Sequence, residues 1–332
     1  MFTDLLDLLE GESTPLYLAP QAGVSESPFR RLCRRFGADV LVSEFVSAAG
    51  IVMNSKRSRE YLRFDEVERP IGIQIFGADP EMMGDAAAYV AEAYRPDFID
   101  INFGCPIKKV VKRNGGSGCL RDLDLVEDII RAVDDATSLP TTVKIRSGFN
   151  ESSRDPVAIG LRCEQAGARA ICLHPRTRAD MYTGQARWSE IRDLVAALEI
   201  PVIGNGDVQS GVDARRMRDE TGCAAIMIAR GSHGDPWIFT QARAALDGDP
   251  IPPDPDVDER FAICLDHARN AIAFESDPDR AIVDFRKHLG WYTKGLPEGR
   301  RLRTELFQSE SLDDVERLLA GYRARYLAEA IA

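Results

Sequence analysis

No apolar run in this chain approaches the ~18 residues that a membrane span requires, so no spanning helix is expected. Cysteine is sparse and unpaired in pattern. Cys33, Cys105, Cys119, Cys163, Cys172, Cys223 and Cys264 are odd in number and include no C-x-x-C pair. That excludes a disulfide framework or a zinc cage as readings and fits a reducing, cytoplasmic setting. There is no H-E-x-x-H pattern and no carboxylate and histidine cluster of metal-ligand spacing, so no metal is expected. A G-x-S-x-G nucleophile elbow is missing too, and Gly116-Ser117-Gly118 is too short to replace it, which argues against serine hydrolysis. Positive charge is not in excess. The formal charge of -11 disfavours a generally basic nucleic-acid binder while leaving room for a local basic face. At the start, Met1 to Glu10 carries three acids among its leucines and no basic segment, which reads as a short surface helix.

What is present is enough apolar residue for a large core: 44% of 332 residues. Eight short β-rich runs recur, Leu16 to Ala19, Val40 to Ser43, Ile71 to Phe76, Phe98 to Asn102, Thr142 to Arg146, Ala170 to His174, Pro201 to Asn205 and Ala224 to Ile228. Between them lie segments of helical periodicity, such as Ala86 to Tyr94, Leu123 to Asp134, Pro156 to Ala166 and Ser189 to Ala197. Eight β/α units predict an α/β fold, a (β/α)8 TIM barrel, over residues 1–246. The proline- and acid-rich stretch 247–256 reads as a linker. Beyond it, Val257 to Glu275, Pro278 to Thr293 and Leu312 to Ala330 read as amphipathic helices, with Ser276-Asp277-Pro278 and Gly295-Leu296-Pro297 as breaks. A small C-terminal helical domain, 257–332, is expected.

Barrels of this kind place their chemistry at the carboxyl ends of the strands. Those ends are polar here: Pro20-Gln21-Ala22, Gln74, Asn102 with Cys105, Lys144 with Arg146, His174, Asn205-Gly206-Asp207, and Ala229-Arg230. The small-residue turns after the seventh and eighth runs can aim backbone N–H groups at a phosphate, though such turns are also ordinary connections. Lys144 is either a fixed cation beside an anionic ring or half of a buried ion pair. Gln74 can bond a ring amide or simply satisfy neighbouring backbone. His174 can meet a phosphate, while a lone histidine is more often a satisfied core residue.

Free cysteines are usually small buried hydrophobes, the plain reading for Cys163, Cys172, Cys223 and Cys264. Cys105 differs in context. It follows a strand end between glycine and proline, in a loop whose charges through Arg121 are five basic residues and no acid. With a reference pKa of ~8.5 its thiol is a proton donor at neutral pH, unless the lysines push it toward thiolate.

These residues together resemble the tRNA-dihydrouridine synthases. The matching stretches are Ala19 to Val24 with Ser27-Pro-Phe-Arg30, Gln74 to Gly77, Ile101 to Pro106 with Lys108-Lys-Val110, Val143 to Arg146, His174 to Arg178 with Tyr182-Thr-Gly184, Asn205 to Asp207, and Asp235-Pro-Trp237. Arg286 to Tyr292 is similar to a helical-domain motif of the bacterial B-type subgroup. The resemblance implies FMN held by Pro20, Gln21, Ala22, Gln74, Lys144, His174, Asn205, Gly206, Asp207, Ala229 and Arg230, with NADPH or NADH as reductant. It implies hydride delivery to C6 of a flipped-out uridine and protonation of C5 by Cys105. Asn102, Lys108, Lys109, Arg176, Arg178, Arg286 and Lys287 are the implied contacts to tRNA, and a monomer is expected.

A basic track drawn from Arg30, Arg31, Arg34 and Arg35, the Lys108 to Arg113 loop, Arg176 and Arg178, and the segment Arg280 to Arg303 would suit RNA. For Arg215, Arg216 and Arg218 a merely solvated face weighs equally. Four departures from the family pattern stand out. Gln21 replaces methionine, Pro175 and Ala229 replace glycine, and Cys119 replaces a small residue. If Ala229 were left-handed it would be strained, and Cys119 raises an oxidative link to Cys105. Two other readings compete: a flavin oxidoreductase for a free pyrimidine, and a non-enzymatic RNA-binding protein.

Overall fold

The computed structural model describes residues 5–275 and 277–331. Met1 to Asp4 and the Ser276 break therefore lie outside the described residues. Nine strands form one parallel sheet: β1 (Leu16–Leu18), β2 (Val40–Val42), β3 (Val46–Ser47), β4 (Ile71–Phe76), β5 (Phe98–Phe103), β6 (Thr141–Arg146), β7 (Ala170–His174), β8 (Val202–Asn205) and β9 (Ala225–Ile228). β1 pairs with both β2 and β9, and β2 pairs with β4, so the sheet closes into a (β/α)8 barrel. The two-residue β3 is an addition that the apolar runs do not announce; it extends the edge of β4 beyond the reach of β2.

Strand alternation divides the side chains. On β5, Ile99, Ile101 and Phe103 join the large cluster shared with the surrounding helices, while Phe98 belongs to the cluster of interior residues that includes Tyr17, Val40, Ala170 and Ala225. Gly72 makes room for this filling, since a Cβ there would stand 2.2 Å from the Phe98 ring. Burying Phe98 contributes roughly 1.5–3 kcal/mol. The N-terminal helix Leu5–Leu9 corrects the expectation of a surface element: Leu5 and Leu9 are buried in that same interior cluster. Asp7 is on the exposed side of this turn.

Local signals start the outer helices. Asp79, Asp122, Asp155 and Ser210 each accept a backbone N–H from the first turn that follows, and Pro80 and Pro156 occupy first helical positions. The last barrel helix ends at Asp247, Gly248 takes a left-handed φ of 81°, and the next helix begins at Val257. Four helices follow, Val257–Phe274, Pro278–Tyr292, Gly299–Leu306 and Leu312–Ile331. The third is short and arginine-rich, and its apolar periodicity rests on Leu302 and Leu306 alone. These helices share a core of their own, into which Trp237 and Phe36 of the barrel also pack. At Gly234, with φ 68°, a Cβ would lie 2.5 Å from the Trp291 backbone, so the two regions are in close contact there.

Candidate active site

Parallel register brings the polar strand ends into one ring. Gln74 pairs with Asp100, Asn102 with Lys144, and Arg146 with His174. Their side chains alternate inward, and above them opens a cavity of about 370 Å³. Pro20, Gln21, Ala22, Asn102, Cys105, Lys144, His174, Asn205, Gly206, Asp207, Ala229 and Arg230 all line it. So does the strand-end Arg146, and so do Phe45, Tyr182, Met227 and His233, which the strand-end pattern did not single out.

Gln74 is placed differently. It is fully buried and does not line the cavity; its Nε2 donates to Asp100 Oδ2 at 2.6 Å and its Oε1 accepts from Asn102 Nδ2 at 2.7 Å. Asp100 also accepts from Thr142 Oγ1 at 2.6 Å, and burial pushes its carboxyl up to about 6 against these bonds. The chain of bonds fixes Asn102, whose Oδ1 accepts the N–H groups of Gly104 at 3.0 Å and Cys105 at 2.8 Å. Asn102 thus positions the cysteine loop as well as facing the cavity.

The same loop is braced from two other sides. Ser117 donates its Oγ–H to the Cys105 carbonyl at 2.7 Å, and Arg146 donates Nε–H to the Gly104 carbonyl at 2.8 Å. Burial pushes the Cys105 thiol up, with the Ile107 N–H and the Arg146 charge offsetting only part of it. Desolvation therefore wins over the loop's positive charge, and the group is a protonated thiol at neutral pH.

Across the ring, Lys144 donates Nζ–H to Asn205 Oδ1 at 2.8 Å and forms no ion pair among the described residues. Asn205 is itself held by its Nδ2–H on the Met227 carbonyl at 2.7 Å. The buried ion pair considered for Lys144 is therefore absent among the described residues. Burial and then the charges of Arg146, Lys144, Arg176 and Arg230 hold His174 well below the usual imidazole range, so it is neutral. Arg176, a donor only, lies 3.1 Å from His174 Nε2, which leaves Nδ1 as the protonated nitrogen.

Arg176 itself corrects an expectation. It is 2% exposed, donates to both Asp207 oxygens at 3.0 and 2.7 Å, and also bonds the carbonyls of Thr183 and Gly184. A guanidinium so committed holds the rim and has no face for a tRNA phosphate. Although burial opposes it, Arg176 and the Ala186 N–H keep the Asp207 carboxyl below its ordinary value. Arg230 adds a second, longer bond to Asp207 at 3.3 Å and lies over the Tyr182 ring.

A family model described as "Dihydrouridine synthase (Dus)" matches residues 17–327. The chain belongs to the dihydrouridine synthase family. It is 40% identical to tRNA-dihydrouridine synthase B of Pseudomonas aeruginosa over 90% of this chain and 89% of that protein. It is 36% identical to tRNA-dihydrouridine synthase B of Vibrio cholerae, over 92% and 95%. A probable tRNA-dihydrouridine synthase of Mycobacterium tuberculosis is 35% identical over 92% and 82%. A solved structure of histamine dehydrogenase from Rhizobium sp. 4-9 shares the fold alone, with TM-score 0.51 and 13% identity over 77% of this chain and 49% of that one. As a dihydrouridine synthase of the B type, the chain is a flavin-dependent oxidoreductase.

Within this dihydrouridine synthase the departures have structural answers. Gln21 Oε1 meets His233 Nε2 at 2.6 Å, while its buried Nε2 has no hydrogen-bond partner among the described residues. His233 in turn stacks on Trp291, with ring centroids 4.0 Å apart. A histidine after the last strand, with tryptophan in the helical motif, is the signal that would have flagged it. Ala229 has φ -114°, so the left-handed strain considered for it does not arise. Next to Pro175, the Arg176 N–H turns back to the His174 carbonyl at 2.7 Å. Cys119 is fully buried and its thiol donates to the Asn114 carbonyl at 2.9 Å, away from any disulfide; all seven cysteines are free.

The basic residues sort into two groups. Arg30 is buried on Glu68 and Arg34 is spent on the carbonyls of Ala38, Asp39 and Arg69, so these two are structural, whereas Arg31 and Arg35 are more exposed, with Asp65 and Asp266 as their surface partners. Arg215, Arg216 and Arg218 are paired with acids of their own helix, the solvated face. Arg178 is half-buried over Phe149, and Arg286 is half-buried with two bonds to the Ser309 carbonyl. Lys108, Lys109, Lys112 and Arg113 are exposed, and no ion pair engages them among the described residues. Lys287 lines a separate groove between barrel and helices.

Proposed function

We propose that this chain is a tRNA-dihydrouridine synthase that binds FMN across the barrel mouth, takes its electrons from NADPH or NADH, and reduces a uridine flipped out of tRNA. The observation that carries the reading is the sharing of one cavity by a protonated cysteine and an unpaired lysine, with lysines clustered on the loop beside the cysteine.

The cavity's residues fit FMN. Lys144 offers an anionic ring a cation with no ion pair among the described residues, the unpartnered Gln21 Nε2 offers a donor, and neutral His174, the Gly206 turn and Arg230 offer donors to a phosphate. The Asp207 carboxylate on this rim is neutralised by Arg176, so it does not repel that phosphate. When bound and reduced, FMN supplies the hydride that adds to C6 of uracil. The chain's own part is the proton. Cys105 gives it to C5, an acid contribution typically worth ~10²- to 10⁴-fold, and Asn102 and Ser117 hold the thiol's loop in place for that transfer. Asn102 keeps one amide hydrogen for the base, since Nδ2 has two and gives one to Gln74. Flipping the uridine costs roughly a few kcal/mol, and phosphate contacts from Lys108, Lys109, Lys112, Arg113 and Lys287 offset it.

The test is incubation of the purified chain with FMN, NADPH and unmodified tRNA, followed by mass analysis of the nucleosides. Dihydrouridine formation that depends on both cofactors is expected. Absence of dihydrouridine together with turnover of free uracil overturns the tRNA reading in favour of a small-substrate flavoenzyme.

A further inference from the structure

Away from the cavity, three potential metal ligands converge where the barrel meets the helices. Glu26 precedes the barrel helix Ser27–Arg35, His267 lies on Val257–Phe274, and His288 on Pro278–Tyr292. Glu26 Oε1 is 3.2 Å from His288 Nε2 and 3.9 Å from His267 Nε2, and one ligand atom from each residue falls within 4.8 Å of the others. None of the three lines the cavity that holds Cys105.

The histidines are not satisfied where they stand. His267 and His288 are 1% and 0% exposed, yet His267 Nε2 and both ring nitrogens of His288 lack hydrogen-bond partners among the described residues. The 3.2 Å approach of Glu26 is close enough for a hydrogen bond but lies off the imidazole N–H direction. A buried polar group left unmatched costs about 1–3 kcal/mol, so the cluster calls for a missing partner. A second feature defines which partner. His267 Nδ1 lies 3.2 Å from Tyr292 Oη, the outer bond that orients a histidine whose Nε2 ligates a metal.

We infer that Glu26, His267 and His288 form a divalent-metal site, suited to zinc, that clamps the helical region to the barrel. Zinc bonds of about 2.0–2.1 Å in tetrahedral geometry separate ligand atoms by roughly 3.3–3.4 Å. The 3.2 Å separation already matches, and the 3.9 Å one and the distance between the two histidines, which is within 4.8 Å, would close as the ion binds. Two imidazoles and a carboxylate are a zinc ligand set, and an open fourth position takes water. Glu26 also forms part of the wall of a groove of about 730 Å³, which supplies the path for ion and water. The clamp would set the helical region's angle without touching the reacting atoms.

The experiment uses the full chain, stripped with chelator and dialysed against graded zinc, with metal content by elemental analysis and melting temperature as a parallel readout. Wild type is expected to take up a single zinc per chain and to melt higher with zinc than with magnesium. Glu26→Gln and His288→Gln are each expected to bind at least ~10-fold more weakly. A wild-type chain that takes up no zinc, or variants that match its uptake and affinity, overturns the proposal. If His288→Gln fails to give a folded circular dichroism spectrum, Glu26→Gln, at a partly exposed position, decides between the two results.

Discussion

The loops that follow β5 and β7 are both basic and flank the same cavity, yet their charges do opposite work. After β5, Lys108, Lys109, Lys112 and Arg113 stand in solvent with no ion pair among the described residues. After β7, Arg176 is buried on Asp207 and two carbonyls. What separates them is the supply of acceptors. The β7 loop folds back over the Asn205-Gly206-Asp207 turn and uses its arginine as a strut, whereas no acid follows β5 until Asp122. Positive charge in a sequence marks an RNA face only where the fold leaves it unspent.

The comparison is sharpest at Cys105. Replacing it with alanine should lower dihydrouridine formation on unmodified tRNA by ~10²- to 10⁴-fold with flavin content unchanged; loss of flavin along with activity would show instead that the β5 loop is structural. Lys144→Met should lower turnover by roughly 10²-fold, since one fixed charge opposite the developing anion is removed. On the β7 side, Arg176→Ala leaves the Thr183 and Gly184 carbonyls unmatched while Arg230 and the Ala186 N–H still hold Asp207, and should cost roughly 1–3 kcal/mol in denaturant unfolding. Arg178→Ala, two residues on, removes a side chain that lies over the Phe149 ring and should cost about 0.5–1 kcal/mol. Equal losses at these two positions would erase the distinction drawn within that loop. Smallest is the effect of Lys108→Ala with Lys109→Ala. This pair should weaken tRNA binding at low salt and reduce the log–log salt slope by roughly one for each lysine, while leaving stability within about 0.5 kcal/mol.

All eight barrel strands were legible because each carries an apolar run, and the strand-end polar residues were legible because period-two alternation and parallel register leave them few places to go. The lining of the cavity followed from that. Gln74 was the exception: it lies one layer lower, where Asp100 and Asn102 take up its amide. Which polar groups consume one another is a matter of three-dimensional distance that spacing does not encode, and the same reason hid the fate of Arg30 and Arg176. His233 was missed because its meaning depends on Trp291, delivered by a helix from the other region. The burial of Leu5 and Leu9 was missed because two leucines in an acidic segment give no sign that they join the barrel interior.

The role proposed for Cys105, an acid that desolvation keeps protonated, is read directly by the pH dependence of single-turnover oxidation of the reduced enzyme by unmodified tRNA. Because burial raises the thiol's pKa, the proton is available below that value and lost as pH rises through it. The rate should therefore hold through neutral pH and fall only above the ordinary thiol value of ~8.5, and Cys105→Ala should be slow throughout with no such limb. A rate that rises with pH through neutrality, or a Cys105→Ala variant as fast as wild type, would contradict it.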